Sequence, residues 1–210
     1  MGISERKERE RERRRNEILD AAEEVIFKQG IDHATMDAIA EKAELSKATL
    51  YLYFESKEEI YFAIFLRGHD KLFELIINAT ENIADIQIKL KMYLSTVMAF
   101  KKKYPNYFDA MFYFMIRDIN KESEYFRQHK ENNTMLLNKW IELIEQGKSQ
   151  GQIRKDLNPV SVAIIQWIQL IGFFKTYPVV RDKIKEDLDV TEDSLLEDFY
   201  DLFLHSISTK

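Results

Sequence analysis

Apolar residues along this chain recur at intervals of three and four rather than two. Ile18, Ala21, Ala22, Val25 and Ile26 form the stripe of a first helix, which Lys28, Gln29 and Gly30 bring to a stop. Thr35 is a good N-cap for a short second helix, in which Ile39, Ala40 and Ala43 share a face. After a brief break Ser46 caps another helix through Phe54, with Leu50 and Phe54 four apart and turned inward beside Leu45. Ser56-Lys57-Glu58-Glu59 has the form of a capping box. It opens a long helix to Ile77 carrying Ile60, Phe62, Ile64, Phe65, Leu72, Leu75 and Ile76.

Further along, residues 78–85 read as a break and 86–103 as a helix whose Lys101-Lys102-Lys103 end suits a C-terminus. Tyr104-Pro105-Asn106 punctuates. The run from Tyr107 to Ile119 is aromatic and Met-rich nearly all round, which predicts a buried helix. Another helix is predicted from about Glu122 to Gln150, with Trp140, Ile141 and Ile144 inward and Gly147 and Gly151 at its end. Asn158 followed by Pro159 opens a very apolar helix over Val160 to Tyr177, which Pro178 is expected to end. Thr191 caps a last helix striped by Leu195, Leu196, Phe199, Leu202, Phe203 and Ile207. With only three Pro and six Gly in the chain, the fold class is all-α.

The helix after Ser46 leaves Lys47, Thr49, Tyr51 and Tyr53 pointing outward. A capped helix presenting Lys, Thr and Tyr beyond a tight turn is what a helix-turn-helix lays into a major groove. By residue type, Lys47 and Lys57 suit phosphate oxygens, and Thr35, Thr49, Tyr51 and Tyr53 offer hydroxyl donors. Ala48 and Leu52 suit a thymine methyl, and Thr49 or Lys47 a base edge, with Ser46 fixing the start of the helix. The mixed-charge run from Glu5 to Arg15 is a solvated helical arm on one reading. On the other, Arg13, Arg14 and Arg15 reach phosphates or a minor groove.

These residues carry a resemblance. Thr35 to Phe65, with the helix before it, resembles the N-terminal DNA-binding domain of the TetR family of bacterial transcriptional regulators. The motifs are I-A at 39–40, S-K-A-T-L-Y-x-Y-F at 46–54 and S-K-E-E at 56–59. Two positions depart from the family, which usually has Gly where this chain has Glu44 and Ala48. Glu44 is therefore expected in a left-handed conformation, at some strain. The resemblance implies a domain boundary near residue 60: a helix-turn-helix domain over 1–60, with 1–15 as the charged arm, and a ligand-binding and dimerisation domain over 61–210. It further implies a homodimer paired through the last two helices, a palindromic double-stranded DNA operator, and a small hydrophobic effector that releases a repressor. Pocket candidates are Phe100, Tyr107, Met111, Phe112, Met115, Trp140, Trp167 and Phe173, with Arg117, Gln166 and His69 as polar partners.

Charge pulls against this reading. The chain carries −5 overall, and residues 1–60 hold 11 Lys/Arg against 15 Asp/Glu, a net of −4. Screening shortens the reach of charge to about 8–10 Å, so placement outweighs the sum. An acidic back and a locally basic face are expected, with modest, salt-sensitive binding. The competing reading is a helical module that senses a ligand or partner without binding DNA.

No cysteine is present, which removes disulfides and thiolate metal sites. The charged N-terminus is no signal peptide, and no run approaching the roughly 18 apolar residues of a membrane span stands out, so a cytoplasmic setting without a membrane partner is expected. His33, His69, His129 and His205 lie in different elements without metal-ligand spacing. No nucleophile elbow or phosphate loop occurs, so neither an enzyme nor a cofactor is expected.

Overall fold

The computed structural model describes the chain except residues 1, 117–125, 128, 129, 131–133, 189 and 210, and except the side chains of 3, 115, 116 and 183–187. Among the described residues the protein is helical: α1 (Ile3–Gln29), α2 (Met36–Lys42), α3 (Lys47–Tyr51), α4 (Lys57–Thr80), α5 (Ile86–Lys103), α6 (Pro105–Ile116), α7 (Met135–Ser149), α8 (Pro159–Leu188) and α9 (Glu192–Ile207). Their extended pairing is a single isolated bridge, Ile153 with Ser208. The chain divides into two compact units, residues 1–70 with 104–130, and residues 71–103 with 131–210.

In the first unit α1 ends where expected. Gly30 adopts φ 81°, and its amide donates to the Ile26 carbonyl at 2.8 Å. The charged arm extends α1 back to Ile3, with Arg14 2.8 Å and Arg13 3.7 Å from Glu17. The stripe of Ile18, Ala22 and Ile26 is buried, as are Ile39, Ala40, Leu50, Phe54, Ile60 and Ile64, so α1 to α4 all contribute to the apolar core of this unit. A polar network ties α1, α4 and α6. Arg67 donates to Asp20 at 2.6 Å, Glu23 at 2.9 Å and the Asn16 side chain at 3.0 Å. The Tyr107 hydroxyl donates to Glu23 at 2.8 Å. Gly68 permits this approach, since a Cβ there would lie 2.8 Å from Cβ of Tyr107.

The second unit is centred on Trp140, whose ring lies 4.6 Å from that of Tyr93 and 5.9 Å from that of Phe203. The Tyr93 hydroxyl donates to the Leu136 carbonyl at 3.1 Å, which satisfies a buried donor. Thr191 caps α9 by accepting the Ser194 amide at 3.2 Å.

Several expectations shift. Helix α3 closes at Tyr51, and turn residues carry the chain to the buried Phe54. Helix α4 continues to Thr80, and α6 starts at Pro105. The distal part of the helix expected over 107–119, the start of the one expected from Glu122, and His129 lie outside the described residues. Helix α8 runs through Pro178 to Leu188 rather than ending at Tyr177. Pro178 sits on the exposed side, where its ring meets solvent rather than packed side chains. The expectation of no span-like run also needs correction. Pro159–Asp182 is long and apolar enough to cross a membrane by length and composition, at mean hydropathy 1.3. Its Val162, Ala163, Leu170, Ile171, Phe174 and Tyr177 are nevertheless buried within the protein.

Candidate nucleic-acid interface

The interface begins with three caps. Thr35 Oγ1 accepts the Ala38 amide at 3.1 Å, Ser46 Oγ the Thr49 amide at 3.0 Å, and Ser56 Oγ the Glu59 amide at 3.1 Å. The return half of the last box is displaced, because Glu59 accepts the amide of Glu55 at 2.7 Å. Between α2 and α3 the turn passes through Glu44 at φ 55°, the left-handed conformation expected where the family usually has Gly. The Leu45 amide then bonds the Ala40 carbonyl at 2.9 Å, which fixes the angle at which α3 leaves.

Burial sorts α3 cleanly. Leu50 and Phe54 are in the core, while Lys47, Ala48, Tyr51 and Leu52 are exposed, Leu52 by 74%. Thr49 and Tyr53 are half-buried, and the Thr49 hydroxyl lies 2.8 Å from that of Ser46. An exposed leucine directly after a capped polar helix has no packing role in the isolated chain, and its neighbours are Tyr51 and Tyr53.

The charges are arranged differently from expectation. Lys47 Nζ lies 2.7 Å from Asp37 of α2, and the hydrogen bond to that carboxylate raises the lysine's pKa. Lys57 turns its ammonium inward, donating to the carbonyls of Ile31 at 2.9 Å, Ala34 at 3.2 Å and Asp32 at 3.5 Å. It therefore pins the loop between α1 and α2, because three carbonyls outside any helix need donors. Arg15 donates to the Tyr53 carbonyl at 2.8 Å and pairs with Glu59 at 3.4 Å, and its guanidinium lies 3.9 Å from the Phe54 ring centroid. Lys42 pairs with Glu24 at 2.6 Å. Lys47, Arg15 and Lys42 are thus paired with carboxylates of the protein, and Lys57 is held by carbonyls, where a basic face free for phosphate was expected. Opposite charges in the first turns of α2 and α3 were the available sequence signal for the Asp37–Lys47 pair. For Lys57 and Arg15 there was none, since their partners (carbonyls, the Phe54 ring and Glu59) are brought close only by folding.

The residues expected around an effector fall into both units. Tyr107, Met111 and Phe112 belong to the first; Phe100, Trp140, Gln166, Trp167 and Phe173 belong to the second. Arg117 and the side chain of Met115 lie outside the described residues. Phe100, Met111 and Trp140 are buried core, and Phe173 stacks on Tyr177 at 5.3 Å. Both side-chain polar atoms of Gln166, the Trp140 indole nitrogen and both ring nitrogens of His69 are buried without a hydrogen-bond partner among the described residues. His69 lies among aromatic rings, with Phe65 at 5.8 Å, and burial pushes its pKa down to about 4. Among the described residues no cluster of His, Cys, Asp and Glu could hold a metal ion.

Fold and site together define a helix-turn-helix domain at the N-terminus of an all-helical chain. Residues 18–64 match the family of bacterial regulatory proteins named tetR, so the N-terminal segment is similar to the domain that this family shares. Similar proteins include the HTH-type transcriptional activator FasR of Mycolicibacterium smegmatis, 38% identical over 81 residues. That match spans 39% of this chain and 37% of FasR, so the likeness is one of the N-terminal domain. Over nearly the whole chain the fold is that of solved regulators. The fatty acid degradation regulator FadR from Bacillus halodurans has a TM-score of 0.70 at 21% identity, covering 91% of this chain and 94% of that one. AibR, solved in complex with isovaleryl coenzyme A and operator DNA, has a TM-score of 0.66 at 19% identity, covering 90% and 97%.

Proposed function

We propose that this protein is a sequence-specific DNA-binding transcriptional regulator, a repressor acting as a homodimer on a palindromic operator and released by a small hydrophobic effector. The observation that carries the reading is the exposed surface of α3. Lys47, Ala48 and Tyr51, with Leu52 directly after them, stand free of the core on a helix held by the Ser46 cap and the Glu44 turn. One such helix reads only a few base pairs, so two copies are needed for useful discrimination. A dimer is supported by α8, where Val160, Ile164, Ile165 and Ile168 are exposed while Val162, Ala163, Leu170 and Ile171 are buried, with Leu202 exposed on α9. An effector is supported by the unpartnered buried polar atoms of Gln166 and Trp140, both in the second unit, since each is costly until something bonds it. Its action is a population shift: bound effector favours a separation of the two α3 helices that no longer matches the half-sites.

The competing reading, a sensing module without DNA binding, is favoured by one observation, the internal matching of the positive groups around α3. The two readings part on a double variant, Lys47→Ala with Tyr51→Phe, measured on a duplex selected from a random palindromic pool. The regulator loses roughly tenfold or more in affinity there, because a charged and a hydroxyl contact are removed. Unchanged affinity would reject α3 as the recognition helix.

A further inference from the structure

Resting on the DNA-binding reading, we infer that Asp37 is a specificity-determining residue that acts through Lys47, withholding its ammonium from the DNA backbone except where α3 seats fully. Asp37 occupies the first turn of α2 and Lys47 the first position of α3, and their side chains meet at 2.7 Å. Both are well exposed, with 69% of the Asp37 and 55% of the Lys47 side chain open to solvent. Folding does not force this contact by burying it, so an arriving phosphate can compete for the lysine. The two helices that hold the pair are fixed by their own caps and by the Leu45–Ala40 bond, so the carboxylate stays within reach of the ammonium.

The consequence differs between two kinds of DNA. On a random sequence α3 makes backbone contacts alone, and there the lysine must leave a nearby carboxylate to reach a phosphate. That exchange releases little counterion, because the ammonium was neutralised beforehand. On the operator, base-edge contacts from the rest of α3 hold the helix in place, and the exchange is offset by contacts that a random duplex lacks. The pair thus lowers non-specific affinity more than specific affinity, and specificity is the ratio of the two.

The test uses the full chain, its selected operator duplex and a scrambled duplex of equal length and composition. Asp37→Asn is expected to raise affinity for the scrambled duplex about fivefold and for the operator about twofold or less. It is also expected to steepen the salt dependence on the scrambled duplex by about 0.9 in log-log slope for each Lys47 set free to contact a phosphate. Asp37→Glu, which keeps the charge, restores wild-type behaviour. In a Lys47→Ala background, Asp37→Asn changes neither affinity beyond experimental scatter. Wild-type affinities and slopes for Asp37→Asn would overturn the inference. So would an equal gain from Asp37→Asn with Lys47 already removed, which would make Asp37 a source of general repulsion only. A wild-type chain that binds no duplex removes the DNA-binding reading, and this inference with it.

Discussion

The guanidinium of Arg15 sits 3.9 Å from the ring centroid of Phe54, and its Nη1 donates to the Tyr53 carbonyl at 2.8 Å. The sequence placed Arg15 among candidate phosphate contacts; the fold uses it to clamp the segment that follows α3 against α1. Arg15→Met should therefore lower stability by about 1–3 kcal/mol in urea denaturation, through the lost stacking and the bonds to Tyr53 and Glu59. Measured well below its midpoint, the variant should bind DNA within about twofold of wild type. A folded Arg15→Met protein with tenfold weaker binding would return Arg15 to the interface.

Glu44 is the one non-glycine residue at positive φ among the described residues, at 55°. A side chain there costs roughly 1–2 kcal/mol, part of which glycine returns as unfolded-state entropy. Glu44→Gly is expected to stabilise the protein by about 0.5–1 kcal/mol, whereas Glu44→Val, with a branched Cβ, should destabilise it by at least about 1 kcal/mol. Thermal melts of the pair give the comparison. A loss of stability in Glu44→Gly would mean that the glutamate side chain makes a stabilising contact.

His69 is 3% exposed, and burial holds its pKa near 4 against about 6.5 in an unfolded chain. The Asp70 carboxylate, 3.8 Å away, does not overcome the desolvation. Below pH 6.5 the unfolded chain takes up a proton that the native state refuses until about pH 4. This contribution to stability is therefore complete above pH 6.5 and lost as pH falls through that window, by up to about 3 kcal/mol. His69→Leu should flatten that part of the stability profile in denaturant titrations from pH 7.5 to 4.5. An unaltered profile would show that other groups set the acid limb.

Much of this organisation was legible in the chain. The Ile18 to Ile26 stripe, the caps at Thr35, Ser46 and Thr191, and the helix over 86–103 follow from local spacing and side-chain chemistry, which act within a few residues. The conformation of Glu44 was legible through the resemblance, because the family usually has Gly at that position of the turn. What remained hidden depends on residues far apart in sequence. Lys57 bonds a loop 23–26 positions earlier, and Arg15 a carbonyl 38 positions later. A lysine pinned to a loop and a lysine free for phosphate look alike in sequence. Pro178 was misread because α8 continues through it despite the lost amide donor, which local spacing does not reveal.

The exposed apolar residues of α8 lead to a prediction about assembly. Ile164 and Ile168 are one helical turn apart, and Ile168 is 62% exposed. Ile168→Asp should shift the protein from dimer to monomer in sedimentation equilibrium while leaving its helical content intact. DNA binding should fall with it, since two half-sites then have to be filled independently. A variant that stays dimeric would move the interface away from this face of α8.

The central claim, that α3 of two copies reads one DNA site, meets its most direct test in a fluorescence-anisotropy titration of a duplex selected from random palindromes, run at one salt concentration and again at double that. The account predicts saturable binding at two chains per duplex, weakened severalfold by the added salt, with a scrambled duplex bound far more weakly. Equal affinity for the selected and scrambled duplexes, or no binding to either, would contradict it.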